Sequence, residues 1–245
     1  MKVSLYRCTP DPWPIMALAC RTCTGKIEEV TSDPVNLVKK VLRSGHESIA
    51  EHVVFTFLIE GISRACSHQL VRYRHCSFSQ LSQRYAKVGT RAEAHEAYYN
   101  YFYSEEVEKG LEILEKYFIL PKSERLTIEI ADIFLAYHEV MKRGVKPEDA
   151  RAILPNCTKT DLLVTMNLRE FMHICNERLC SRAQGEIREL VEKMRDLVLE
   201  NLPELEEFLV PKCRKYGHCF EEKSCGLMPK METENHEKLP IQNEN

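Results

Sequence analysis

Apolar and polar residues alternate across residues 2–8, KVSLYRC, which predicts an opening strand; Pro10, Pro12 and Pro14 then interrupt the chain before a helix through Ala17 to Cys20. Asp33-Pro34 opens the next helix, with Val35, Val38 and Leu42 on its buried face and Ser44-Gly45 ending it. The run Val53 to Ile59, VVFTFLI, is β-branched and aromatic and short, so it predicts a central strand closed by Gly61. Ser63 then caps a helix carrying Cys66, Leu70 and Val71. That helix delivers Gln69, Arg72 and Arg74 to its C-terminal end, where partial negative charge suits arginine.

From Glu105 to Arg143 the pattern becomes helical, with Leu126, Ile130, Ile133, Tyr137, Val140 and Met141 as one apolar stripe. A second long helix, Arg182 to Leu202, carries Ala183, Ile187, Leu190, Val191, Met194, Leu197 and Val198 in the same way. Such stripes serve a core or a subunit interface. Between the two helical regions Leu162 to Met166 predicts another buried strand, followed by a helix bearing Asn167, Arg169, His173 and Arg178. Arg169 and His173, four residues apart, share one face of it. No internal repeat is visible.

Composition narrows the class. A chain of 245 residues with 44% hydrophobic and 29% charged residues is that of a soluble globular protein. No apolar run approaches the roughly 20 residues that cross a bilayer, and the first residues lack the apolar core of a signal peptide. A cytoplasmic protein with no membrane partner is expected. Residues 1–212 read as one catalytic domain, 213–228 as a cysteine-containing extension, and 229–245, polar throughout, as a disordered tail. Eight of the 11 cysteines, Cys8 to Cys180, are scattered and read as reduced thiols, and Cys20 and Cys23 lack the second ligand pair of a zinc site. Cys213, Cys219 and Cys225 recur at equal intervals with His218 between them. A structural metal, a disulfide and reduced thiols all remain open there, and no metal is assigned.

Charge supplies the sharpest local signal. The net charge is -3, yet residues 64–91 gather Arg64, Arg72, Arg74, Arg84, Lys87 and Arg91 with no Asp or Glu. Arginine donates paired hydrogen bonds to phosphate and stays charged, and Ser79, Gln80, Ser82 and Gln83 add neutral donors. This is an anion site, with phosphates the best guests. Tyr73, Phe78 and Tyr85 interleave with the arginines as in a nucleic-acid-binding module. A pI near 6.3 leaves no broad basic face, so no nucleic-acid partner is expected.

Two blocks of residues carry a resemblance. Glu51 to Phe57, then Gly61-Ile62-Ser63-Arg64, then RYRHCSFSQLSQRY resembles the signature region of flavin-dependent thymidylate synthase, the ThyX family. The family pattern R-H-R-x7-S reads here as Arg72-Tyr73-Arg74, seven residues, Ser82. Arg151 to Pro155, then Asn167-Leu168-Arg169 and Arg178, resembles the family's second binding segment. Two motif blocks in order are far more specific than one. The chain departs from the pattern at Tyr73, where the family has histidine; tyrosine offers a ring and a hydroxyl and does not become a cation near neutral pH.

The resemblance implies an α+β fold with a central, largely antiparallel sheet flanked by long helices, and a homotetramer with active sites shared between subunits. It implies an enzyme that converts dUMP to dTMP with methylenetetrahydrofolate as carbon donor and FAD, reduced by NADPH, as hydride source. Carried over by position, Gln69, Arg72, Gln80, Leu81, Ser82, Gln83, Arg84 and Arg151 hold dUMP. Arg178 sits at the uracil edge and favours charge building on the ring, so that no cysteine nucleophile is needed. His46, Ser48, Arg72, Tyr73, Arg74, His75, Gln80, Asn167, Arg169 and His173 correspond to flavin contacts. Ser82 is also a catalytic candidate; without an activating base in the sequence, hydrogen-bond donor is its favoured role and nucleophile the alternative.

Overall fold

A computed structural model describes residues 1–28 and 32–231. The sheet has four strands, β1 (Lys2–Cys8), β2 (Val54–Ser63), β3 (Cys76–Gln80) and β4 (Lys159–Asn167), all antiparallel in the order β1-β2-β4-β3. The expected α+β class is what forms. Along β2 Phe55, Phe57 and Ile59 point into the core, and along β4 Leu162, Val164 and Met166 do so, which is the period of two that one buried sheet face requires. On the other face Thr56 and Thr165 pair through hydroxyls 2.9 Å apart, and Val54 and Leu163 are exposed.

Helices cover the buried face. α1 (Pro12–Cys23) starts earlier than expected because Pro12 and Pro14 occupy its first turn, where a missing N–H costs nothing. α2 (Pro34–Arg43) is capped by Asp33, whose side chain accepts from the Asn36 amide. A helix over Leu168–Arg178 and a long helix over Gly185–Asn201 complete this layer, with Ile187, Leu190, Val191, Met194 and Val198 buried within the chain itself. Ala183 precedes that helix rather than lying on its stripe.

Gly61 does not end β2. The strand runs on to Ser63 through a register shift between Ile59 and Ile62, and Gly61 takes φ 71° there, a conformation that suits a bulge residue without a Cβ. Ser63 then caps α3 (Arg64–Leu70) by accepting from the Cys66 amide. Its own amide and hydroxyl donate to Glu186, at 2.6 and 2.5 Å, which ties the start of α3 to the first turn of the Gly185–Asn201 helix.

Between β3 and β4 the chain builds a second core from α4 (Arg91–Tyr103), α5 (Val107–Tyr117), α6 (Glu124–Lys142) and the short α7 (Pro147–Ala150). The continuous helical pattern expected from Glu105 to Arg143 breaks at Phe118, whose neighbourhood pairs with Thr158. The buried stripe of α6 is Thr127, Ile130, Ala131, Phe134, Tyr137 and His138; of the expected residues Ile130 and Tyr137 lie on it, Val140 and Met141 are partly buried against it, and Leu126 is exposed. α8 (Leu168–Arg178), α9 (Gly185–Asn201) and α10 (Lys212–Tyr216) follow β4. Residues 229–231 pair with Cys219 through the Pro229 carbonyl and the Met231 amide; the remainder of the expected tail lies outside the described residues.

Candidate active site

The arginine-rich stretch leaves α3, turns through Val71 to His75, and enters β3, which pairs along the outer edge of β4 from Cys76 opposite Met166 to Gln80 opposite Leu162. β4 runs directly into α8, where the Asn167 side chain caps the helix by accepting from the Glu170 amide. Strand pairing therefore brings the first motif block beside the second.

Their junction is Tyr73. Its ring is buried, and its hydroxyl donates to Glu177 Oε2 at 2.7 Å while accepting from Arg178 Nε at 2.8 Å. The Arg178 guanidinium carbon also lies 5.5 Å from the Tyr73 ring centre, and the His173 ring meets Tyr73 edge-on at 5.6 Å. Burial pushes the Tyr73 hydroxyl well up from its ordinary range, and the Glu177 hydrogen bond adds to this. The hydroxyl stays protonated, which is the state its two hydrogen bonds require.

His75, Asn167, Arg169 and His173 wall one polar cavity of about 510 Å³, with Lys215 and Tyr216 across it. Arg169 is ion-paired with Glu51 and Lys215 with Glu47, so the cations of this cavity are held in place by acids. Arg72 and Arg74 are exposed on the turn next to it and make no ion pair among the described residues. His46 and Ser48, both exposed, flank Glu47 and do not line the cavity.

A second group forms at the other end of α3. Arg64 donates to the Leu81 carbonyl at 3.5 Å, and burial followed by repulsion from Arg151 lowers its pKa. Two guanidiniums thus lie within electrostatic reach of each other near the 81–84 loop, a repulsion that an anion relieves. Ser82 accepts from the Arg84 amide at 3.3 Å, and no base is hydrogen-bonded to its hydroxyl among the described residues. Arg84 approaches Glu148 at 3.7 Å, and Arg151 donates to the Glu148 carbonyl. Leu81 is exposed and Gln83 half-buried. Gln80 turns inward instead, donating to Ser67 at 2.9 Å and Thr160 at 3.2 Å. Gln69 reaches Gln184 at 3.2 Å.

Arg178 lines a larger cavity of about 730 Å³, and neither Ser82, Arg84, Arg151 nor Gln69 is on its wall. The sequence-predicted residues therefore fall into two groups within one chain. The resemblance gave no ligand role to Arg64, although it begins the carboxylate-free run, and no motif marked Glu177. β3 was also missed, and its signal was the alternation of half-buried Cys76, Phe78 and Gln80 with exposed Ser77 and Ser79.

The fold and these two groups define an α+β enzyme scaffold with paired anion-binding and aromatic sites. A family model described as thymidylate synthase complementing protein matches residues 4–204. Relatives called flavin-dependent thymidylate synthase include that of Pyrococcus abyssi, 40% identical over 84% of this chain and 80% of its own length. That of Thermococcus onnurineus is 43% identical over 74% and 71%, and that of Geobacter sulfurreducens 40% over 87% and 88%. A crystal structure of ThyX from Helicobacter pylori shares the fold, with a TM-score of 0.71 over 85% of this chain and 99% of that one at 23% identity. The chain belongs to the flavin-dependent thymidylate synthase family.

Proposed function

We propose that this protein makes dTMP from dUMP, with methylenetetrahydrofolate giving the carbon and NADPH the reducing equivalents. The observation that carries the reading is the Tyr73 bridge, which joins the first motif to the arginine at the end of the second. The Helicobacter pylori relative was crystallised with FAD and dUMP, and the donor set here fits both ligands. The 510 Å³ cavity offers imidazole, amide and cationic side chains beside the unpaired Arg72 and Arg74, as a flavin dinucleotide requires. FAD, when bound and reduced, supplies the hydride that turns the transferred methylene into a methyl group.

This chain's residues do the rest. Arg64, Arg84 and Arg151 with Ser82 bind the nucleotide phosphate, Ser82 as a hydrogen-bond donor because nothing activates it as a nucleophile. Arg178, oriented by Tyr73, sets its charge against the uracil carbonyl and N3, stabilising negative charge there and making C5 the nucleophilic carbon. A cysteine nucleophile is not required. Burial pushes Cys66 and Cys76, the thiols of the arginine-rich segment, up to about 12, so neither is a thiolate at neutral pH.

Because the phosphate group and Arg178 do not share a cavity in one chain, active sites assembled between subunits of a homotetramer complete the reading. The sheet face carrying exposed Val54 and Leu163 gives that assembly an apolar surface. The test is tritium release from C5-labelled dUMP in the presence of methylenetetrahydrofolate, FAD and NADPH. Wild-type protein releases tritium, and Arg178→Ala does not while still retaining the flavin absorption band. No release by wild-type protein, or full release by the variant, overturns the reading.

A further inference from the structure

Residues 202–209 anchor the chain after α9 in the main core, whereas residues 213–231 have no core of their own. Of residues 213–231 only Cys219 is buried, while Phe220, Leu227 and Met231 are exposed. So little apolar burial does not offset the entropy of ordering such a stretch; small elements of this kind are held by metals or disulfides. Its ties are few and polar: Lys215 pairs with Glu47, Lys212 lies over the Phe220 ring, Cys219 pairs with Pro229 and Met231, and Arg182 donates to the Lys223 carbonyl at 2.6 Å and meets Glu221 at 3.4 Å.

What the segment does bring together is sulfur. Cys213, Cys219 and Cys225 line the 730 Å³ cavity, and the fold adds a fourth thiol, Cys180, from the turn between α8 and α9. Cys213 lies within electrostatic reach of the other three. Ser181 and Leu227 line the same cavity as Cys225, where outer partners of a thiolate ligand would stand. Arg182, Arg188, Lys212 and Arg214 stand on the same wall. All 11 cysteines are free thiols, and no three ligating groups among the described residues already stand in metal-holding geometry.

We propose that Cys180, Cys213, Cys219 and Cys225 close on one zinc ion, stapling the C-terminal segment to the turn that follows Arg178. Four thiols satisfy the tetrahedral preference of zinc, and side-chain rotation on an exposed segment brings them inward. Binding Zn²⁺ releases the thiol protons and leaves a zinc tetrathiolate of net charge -2, which the surplus of Arg178, Arg182, Arg188, Lys212 and Arg214 over Glu177, Glu192 and Glu221 on the wall offsets. No oxidant or reductant is involved. Cys180 is two residues from Arg178, so the staple braces the end of α8.

The test is elemental analysis of the full chain purified without added metal or chelator. Wild-type protein carries about one zinc per chain, and Cys213→Ser and Cys225→Ser fall to roughly a tenth of that or less, as loss of one ligand from a closed structural site dictates. Cys23→Ser keeps its zinc. Since a serine variant can misfold, wild-type protein is also alkylated in the native state. The four thiols are protected until a chelator is added and then react together. Protein free of zinc with four reactive thiols, a disulfide among the four, or zinc retained in both variants overturns the proposal. None of these readouts depends on flavin, dUMP or turnover, so they stand or fall separately from the enzymatic reading.

Discussion

Replacing Tyr73 by phenylalanine removes one oxygen and leaves the ring. That oxygen holds Arg178 Nε at 2.8 Å and Glu177 at 2.7 Å, so the variant loses two hydrogen bonds to charged groups and keeps the edge-on contact with His173. Hydrogen bonds of this kind contribute about 1.5–3 kcal/mol each. The Glu177 share is discounted because its side chain is 45% exposed and returns to water, which leaves about 1 kcal/mol of stability, or roughly 2–4 °C in Tm for a chain of this size. The Arg178 share acts on orientation. If it is realised in the transition state, kcat falls about 10- to 100-fold, since each 1.36 kcal/mol is a factor of ten. The assay is steady-state tritium release with kcat and KM for dUMP resolved, alongside flavin titration and thermal melting. The expected signature is a drop in kcat with KM and flavin affinity nearly unchanged. A Tyr73→Phe enzyme with wild-type kcat refutes the positioning role. Tyr73→His supplies an independent arm. The tyrosine hydroxyl, pushed up by burial and Glu177, does not titrate near neutrality, whereas imidazole titrates near about 6.5. The histidine variant gains a pH dependence of kcat around that value, and a profile superimposable on wild type argues against coupling between position 73 and Arg178.

Ser82→Ala retains turnover with a several-fold higher KM for dUMP, measured by the same tritium assay; complete loss of kcat makes Ser82 a nucleophile after all. Gly89→Ala destabilises the fold, because φ at Gly89 is 62° and an added Cβ lies 2.7 Å from Phe134 Cζ and 3.0 Å from Tyr117 Cε2. Positive φ and overpacking together cost about 2–4 kcal/mol, read as a lowered urea midpoint. Acid lowers stability through His138, whose pKa burial depresses although its Nε2 donates to the Val88 carbonyl at 2.9 Å. The unfolded chain binds this proton first, so stability begins to fall as pH drops through about 6.5 and continues down to the depressed folded value. His138→Gln flattens that part of the Tm profile, and an unchanged slope would show that another group is responsible.

Much of the scaffold is local and therefore legible. Asp33-Pro34, Ser63 before α3 and Asn167 before α8 act within three residues of themselves, and each caps a helix where it stands. The alternation of β2 and β4 likewise marks their buried face, since a strand's period belongs to the strand. Other local signals were present and unused: Thr90 and Glu93 form a capping box that starts α4, a helix with no apolar stripe to reveal it. On α6 Ile130 and Tyr137 lie on the expected face, whereas packing in the second core buries Thr127, Ala131 and Phe134 and leaves Leu126 outside, because periodicity alone does not say which flank a partner covers.

By itself, then, the sequence determined most of the elements and the carboxylate-free arginine run, and through its family resemblance the α+β class. Only the tertiary structure decided what those residues meet. Tyr73 and Arg178 are 105 positions apart, and their contact exists because β3 pairs with β4 and β4 feeds α8. Cys180 joins the three later cysteines because α9 carries the chain away and α10 packs back against α8. Propensity and capping act over one turn of chain, whereas burial and charge pairing act through space, and residues far apart in sequence become neighbours only after the sheet has closed.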